Sequence, residues 1–357
     1  MNTPQLPQVI KAVGIIVCLL VVNHIHAQNK EAATKLIEEG IKLYDQKEYA
    51  NALLKYDQAL TVDKNNLVAF TEKTMTLLTQ KQYGEAIKVC QKAIETHPKD
   101  TNLRIIYVSY ATAEDELNHP KEALKIYNEG INQFPKYYQL YFNKGISLTK
   151  SKNELEALGC FEQSAMLNPT HAASHNAIAH IESHLNNRIP AIMAYCRYLS
   201  IEPQVNRSKE NLDAVIQLMM NDTMPKTNQA DHTLDSIELA IATIAKAMRE
   251  ESRNKKKIPI ETFHKGIHLM CSALAKAPKG NKGFIWDYYA PYFIELQEKK
   301  FLTTFSYIAF LSTEDPIIFK WFNAHKLDIE AFINWSKTFT PLNSSTNLPQ
   351  PGINPGK

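Results

Sequence analysis

A small residue returns along this chain at a near-constant interval, and no other feature limits the possible folds as much. Ala52, Ala86, Ala123, Ala157 and Ala191 stand 34, 37, 34 and 34 residues apart. Four positions after each comes a mid-sized or aromatic residue: Tyr56, Cys90, Tyr127, Phe161 and Tyr195. Eight positions later, in the last four copies, comes a proline: Pro98, Pro135, Pro169 and Pro203. Twelve positions upstream of each alanine a second small site keeps the same phase, at Gly40, Thr74, Ala111, Gly145 and Ala179. Such self-similarity belongs to supersecondary units that cannot bury an apolar face alone and therefore stack.

Each site has a physical reason. Two helices cross closely at the small pair, and a longer side chain there would separate them. The proline ends the second helix, because it lacks an N–H and biases its predecessor out of the helical region. Tyr49, Ala52, Leu53, Tyr56, Ala59 and Leu60 follow helical spacing. The copies fall at about 33–66, 67–100, 104–137, 138–171 and 172–205, and the fifth drifts, with His175 at a large packing site and Tyr198 where a small residue is usual. These motifs resemble the tetratricopeptide repeat family over roughly half of the chain. The resemblance implies an all-α fold: a right-handed superhelical solenoid of about five helix-turn-helix repeats, followed by a second helical region. It implies protein binding without naming a partner.

The remainder divides by composition. Residues 1–27 read as a signal peptide, with Lys11, an apolar run from Ala12 to Val22, and Ile25-His26-Ala27 before Gln28. That run is shorter than the about 20 residues a spanning helix needs, so no integral span is expected after cleavage. Export, with a periplasmic or envelope address, is the expectation; retention of the segment as an anchor is the alternative. The array with a capping helix at 208–220 occupies 28–220, a polar linker 221–232, a helical domain 233–339 and a disordered tail 340–357. Helices are expected at 234–251, 261–276, 285–299, 301–312, 316–325 and 329–338. The segment from Trp286 to Phe293 resembles the C-terminal part of exported repeat proteins of Gram-negative bacteria, which implies location and no activity. Past Cys18, Cys90, Cys160, Cys196 and Cys271 remain, and their places in the repeat phase favour buried free thiols over disulfides.

The resemblance also places ligands against the first helix of each repeat, at its second, fifth, ninth, twelfth and thirteenth positions. Here those sites include Ile37, Ile41 and Tyr44; Thr71, Met75 and Leu78; Val108 and Thr112; Phe142 and Ile146; and Asn176, His180 and His184. Arrays that clamp a C-terminal carboxylate need several Lys and Asn residues there, and this chain does not supply them. An apolar groove suits an amphipathic helix or an extended hydrophobic segment. Filling of that groove by the chain's own C-terminal region is an equal alternative.

Other constellations are weaker. His171/His175, His180/His184 and His264/His268 are spaced four apart, but two imidazoles do not complete a metal site, so no metal and no cofactor are expected. A formal charge of +3 gives no reason to expect nucleic-acid binding; Arg253 with Lys255, Lys256 and Lys257 reads as a solvated loop. Aromatic residues crowd Phe284 to Phe310, as in a helical core or a sugar-binding surface. No phosphate loop or nucleophile elbow appears. The sequence therefore reads as a non-enzymatic envelope scaffold that binds a protein or peptide. The alternative is an enzymatic or carbohydrate-binding C-terminal domain with the repeats as docking arm.

Overall fold

The structure, a computed structural model, describes residues 28–204, 206–221, 234–255, 260–278 and 280–340. The expected signal peptide lies outside these residues, as do almost all of the expected linker and tail. Every regular element described is helical. The five repeats are the pairs α1 (28–45) and α2 (Tyr49–Val62), α3 (Leu67–Thr79) and α4 (Tyr83–Thr96), α5 (Leu103–Glu116) and α6 (Pro120–Gln133), α7 (Tyr138–Lys150) and α8 (Glu154–Leu167), α9 (Ala172–His184) and α10 (Arg188–Ile201).

The phased small residues lie where the helices of a pair cross. A Cβ on Gly145 would sit 2.7 Å from the Phe161 ring, and one on Gly40 would collide with the Tyr56 ring. Ala52, Ala86, Ala123, Ala157 and Ala191 are wholly buried. A second device, which sequence reasoning missed, shapes every turn between paired helices. Lys47, Lys81, Asn118, Lys152 and Asn186 have φ of 65°, 59°, 64°, 60° and 62°. The next residue's N–H reaches back to the carbonyl five positions earlier, as from Glu48 to Leu43 and from Asn153 to Leu148 (2.8 and 2.9 Å). This Schellman closure leaves the following helix free to start at once. Only asparagine here is a customary left-handed residue; the three lysines carry no sequence signal for it.

Contacts divide the chain into two compact units, Met1–Asn143 and Lys144–Lys357, with the division inside α7. The sequence reading placed its boundary after residue 220, and the physical reason for the difference is α10. From Arg188 to Ser200 every residue of α10 is buried. It packs against α9, α11 (Asn206–Met220), α12 (Asp235–Lys255), α15 (Leu302–Ala309), α17 (Lys326–Thr338) and a π-helical turn at Ile285–Tyr289. A helix buried on all sides, with Arg188 and Arg197 among its buried residues, has to be enclosed, which explains the drift of the fifth repeat. The expected capping helix corresponds to α11, which is itself covered by α12 and buries Leu212, Val215 and Met219. The remaining elements are α13 (Ile260–Lys276), α14 (Ala290–Glu298) and α16 (Pro316–Ala324). Cys90, Cys160, Cys196 and Cys271 are all free and buried.

Two substitutions separate these effects. Gly145→Ala should destabilise the protein by about 1–3 kcal/mol, whereas Gly159→Ala on α8, where an added Cβ meets nothing within 4 Å, should stabilise it by about 0.5–1 kcal/mol. Lys152→Gly should raise stability by about 1 kcal/mol by relieving a left-handed lysine. Urea titration of each variant reads all three.

Candidate functional site

The first unit holds an elongated groove of about 290 Å³, lined by Tyr44 of α1, Met75, Leu78 and Thr79 of α3, Ile105, Val108 and Ser109 of α5, Tyr137, and Gln139 and Asn143 of α7. All the helices involved are the first helices of their repeats. Their apolar side chains form the floor, and Met75 is 43% exposed there. Hydroxyl and amide groups form the rim. Tyr44 and Thr79 hydroxyls lie 3.0 Å apart across two repeats. Tyr137 bonds Gln139 through its hydroxyl, and the Arg104 guanidinium covers its ring at 5.4 Å. None of the lining residues is a lysine, arginine, aspartate or glutamate.

Of the residues singled out in the sequence, the structure brings Tyr44, Met75, Leu78 and Val108 together in this groove. Ile37 is not on its surface: it is buried in the first repeat's core with Ala33, Ala52 and Tyr56, and Ile41 packs against that cluster. Thr71 is half-buried and donates to the Leu67 carbonyl (2.9 Å). Thr112 pairs with the Tyr127 hydroxyl (3.1 Å). Phe142 is half-buried and Ile146 partly exposed. Asn176 accepts a hydrogen bond from Asn211 of α11 (2.8 Å), so its amide is engaged within the chain. His180 meets the Tyr195 hydroxyl (3.2 Å) and His184 meets Glu154 (2.9 Å). Ile105, Ser109, Gln139 and Asn143 stand at second and sixth positions of their repeats. The sixth-position pair was missed because the expected face was drawn one residue too narrow.

The aromatic segment is core. Tyr288, Tyr289, Tyr292, Phe293 and Phe305 are wholly buried, and the tyrosine hydroxyls serve a polar cluster around Arg197. The buried guanidinium donates to Tyr288 (3.2 Å), Ser200 (2.9 Å), the Ser336 hydroxyl (2.7 Å) and the carbonyls of Pro169 and Ser336 (both 3.0 Å). It also lies 4.4 Å from the centre of the Tyr292 ring. His175 faces the Pro169 carbonyl with Nε2 (3.1 Å), which fixes the proton there and leaves Nδ1 to accept from Tyr289 (3.0 Å). Burial, and then the Arg197 charge, hold this imidazole well below its usual pKa, so it is neutral. His264 touches the Ser306 hydroxyl (3.3 Å). Among the described residues no group of three His, Cys, Asp or Glu side chains is placed to hold a metal ion.

Burial, and then Glu182, push the Glu162 carboxyl up to about 8. A carboxyl raised in the folded state binds its proton more tightly there than in the unfolded chain. Its neighbourhood is therefore least costly at low pH, and stability falls as pH rises from about 4.5 towards about 8. Glu162→Gln should stabilise the protein by about 1–3 kcal/mol above pH 8 and change little near pH 4, as read by thermal melts across that range.

A tetratricopeptide repeat profile matches residues 77–143. The chain is 26% identical over 160 residues to "Protein STIP1 homolog" of Dictyostelium discoideum, covering 36% of this chain and 28% of that protein. It is 29% identical over 65 residues to "Stress-induced-phosphoprotein 1" of Caenorhabditis elegans, covering 18% of this chain and 20% of that one. The chain thus spans little more than a quarter of these relatives' length at most. The structure of pilF from Pseudomonas aeruginosa aligns with a TM-score of 0.44 at 18% identity, covering 54% of this chain and 91% of the other. Among the described residues no helix is long and apolar enough to cross a membrane.

Proposed function

We propose that this chain, in which a tetratricopeptide-repeat profile matches residues 77–143, is a non-enzymatic interaction scaffold that takes an apolar or amphipathic segment of another protein into the groove formed by α1, α3, α5 and α7. The supporting observation is the groove's composition: an apolar floor of Met75, Leu78, Ile105 and Val108 beneath a polar rim, with Arg104 over the ring of Tyr137 as the charged side chain beside it. Covering such a floor contributes about 25 cal/mol per Å² of apolar surface removed from water. The Gln139 amide nitrogen and the Asn143 amide oxygen supply a donor and an acceptor for a bound segment's backbone, the Gln139 oxygen being used by Tyr137 and the Asn143 nitrogen by the Gln139 carbonyl. A peptide held by its terminal carboxylate would find no lysine in that lining and one guanidinium, Arg104, already over Tyr137, so the carboxylate clamp is disfavoured. Residues 1–27, with their short apolar run and small-residue end, support export, and an envelope partner is part of the proposal.

The rival reading, a sugar-binding or enzymatic C-terminal region, rested on an excess of tyrosines. The hydroxyls of Tyr288, Tyr289 and Tyr292 are engaged by Arg197, His175 and Ser336, which favours the scaffold reading.

A photoreactive residue at Val108 in the full-length protein, expressed in its own host and read by mass spectrometry, tests the proposal. A discrete crosslinked partner is expected, with yield falling about tenfold in the Met75→Glu background, because a carboxylate beneath an apolar ligand is desolvated. Crosslinks confined to this chain's own residues would overturn it.

A further inference from the structure

The concentration of exposed apolar side chains at the C-terminal helices has no counterpart in the groove reading. Ile317 and Phe319 of α16 are 66% and 46% exposed, and Leu327 and Ile333 of α17 are 81% and 36% exposed. Four such residues fall within seventeen of the sequence. The inward side of this hairpin is already used. Ile318 and Phe332 are buried, Trp335 stacks on Tyr292 at 4.8 Å and bonds Glu295 (2.7 Å), and Trp321 is stacked between Tyr307 and His325 at 4.1 and 4.2 Å.

On the same two helices, Phe322, Asn323, Lys326, Ile329, Glu330 and Ile333 enclose an open cleft of about 340 Å³. Lys326, Ile329, Glu330 and Ile333 recur at helical spacing, so they occupy one stripe of α17. Ile329 lies between its two charges and Ile333 just beyond them, and the charges are of opposite sign, one turn apart. Neither charge has an ion-pair partner among the described residues.

We propose that this stripe of α17 is an isologous docking surface for a second copy of the chain. The argument for that occupant is charge. When two such stripes pair antiparallel about a two-fold axis level with residue 328, Lys326 of each protomer comes opposite Glu330 of its partner, Ile329 lies beside the axis, and Ile333 flanks the contact. A two-fold interface requires that kind of self-complementarity. An unrelated partner has no reason to match an alternation of one cation and one anion, and a lipid surface is disfavoured because acidic groups accompany the basic ones. The assignment is independent of the groove on the first unit.

Sedimentation equilibrium of the full chain, from micromolar to sub-millimolar concentration, is the test. Wild type should associate reversibly as a dimer. Lys326→Glu sets two anions against each partner and should weaken association about tenfold, more so at low salt. Lys326→Glu with Glu330→Lys should restore it, which no general loss of folding can mimic. A wild type that stays monomeric throughout would overturn the proposal, including the case where the chain's own residues beyond 340 cover the stripe. So would a Lys326→Glu variant that dimerises as wild type does.

Discussion

The second unit depends on a buried cation that has no carboxylate. Arg197 uses all five of its N–H groups on neutral acceptors, and those acceptors come from three separate parts of the chain: the turn after α8, α10 itself and the C-terminal helices. An ionised guanidinium removed from water is costly unless every donor is matched. That requirement is directional where hydrophobic contact is not, so it selects one seating of α17 and the π-helical turn on α10. The Tyr292 ring covers the remaining face of the ion. His175, kept neutral beside it, and the Pro169 carbonyl complete a cluster in which the proline that ends the fourth repeat also anchors the C-terminal helices.

The first unit is built on a different principle. Its repeats rest on contacts between neighbours, with small residues at the crossings and a left-handed residue at every turn. Its buried polar groups are satisfied locally, as where Thr74 and Thr76 donate to the carbonyls of Phe70 and Glu72, rather than converging on one ion. This division of labour suits the proposed roles, with an apolar channel that stays accessible on one unit and a closed, specifically locked helical assembly in the other.

Local rules made much of this legible in the sequence. Phase alone located the five helix pairs, and periodicity placed the C-terminal helices to within a few residues, because both depend on neighbours in the chain. Four groove residues, Tyr44, Met75, Leu78 and Val108, stand at positions that the family resemblance implies, read through that phase. What escaped was non-local or chemically silent. Nothing near Arg197 in the sequence announces Ser336, and Lys47, Lys81 and Lys152 are not residue types that signal a left-handed turn. Asn176 looked available until α11 was seen to supply Asn211. The aromatic crowding from Phe284 to Phe310 was noticed, but its hydroxyls could be assigned only when their partners came from helices far away.

One consequence concerns the order of assembly during synthesis. Arg197 and Ser336 are separated by 139 residues, whereas each repeat closes over about a third of a hundred. The early repeats can therefore condense from short-range contacts while the ribosome is still at work. The last of them cannot finish: α10, buried on every side, meets α9, α11 and α12 first but is enclosed only when α15 and α17 have emerged. For that interval the growing chain presents a sticky helix at its leading edge, and a chaperone or a delay in chain transfer is most needed there.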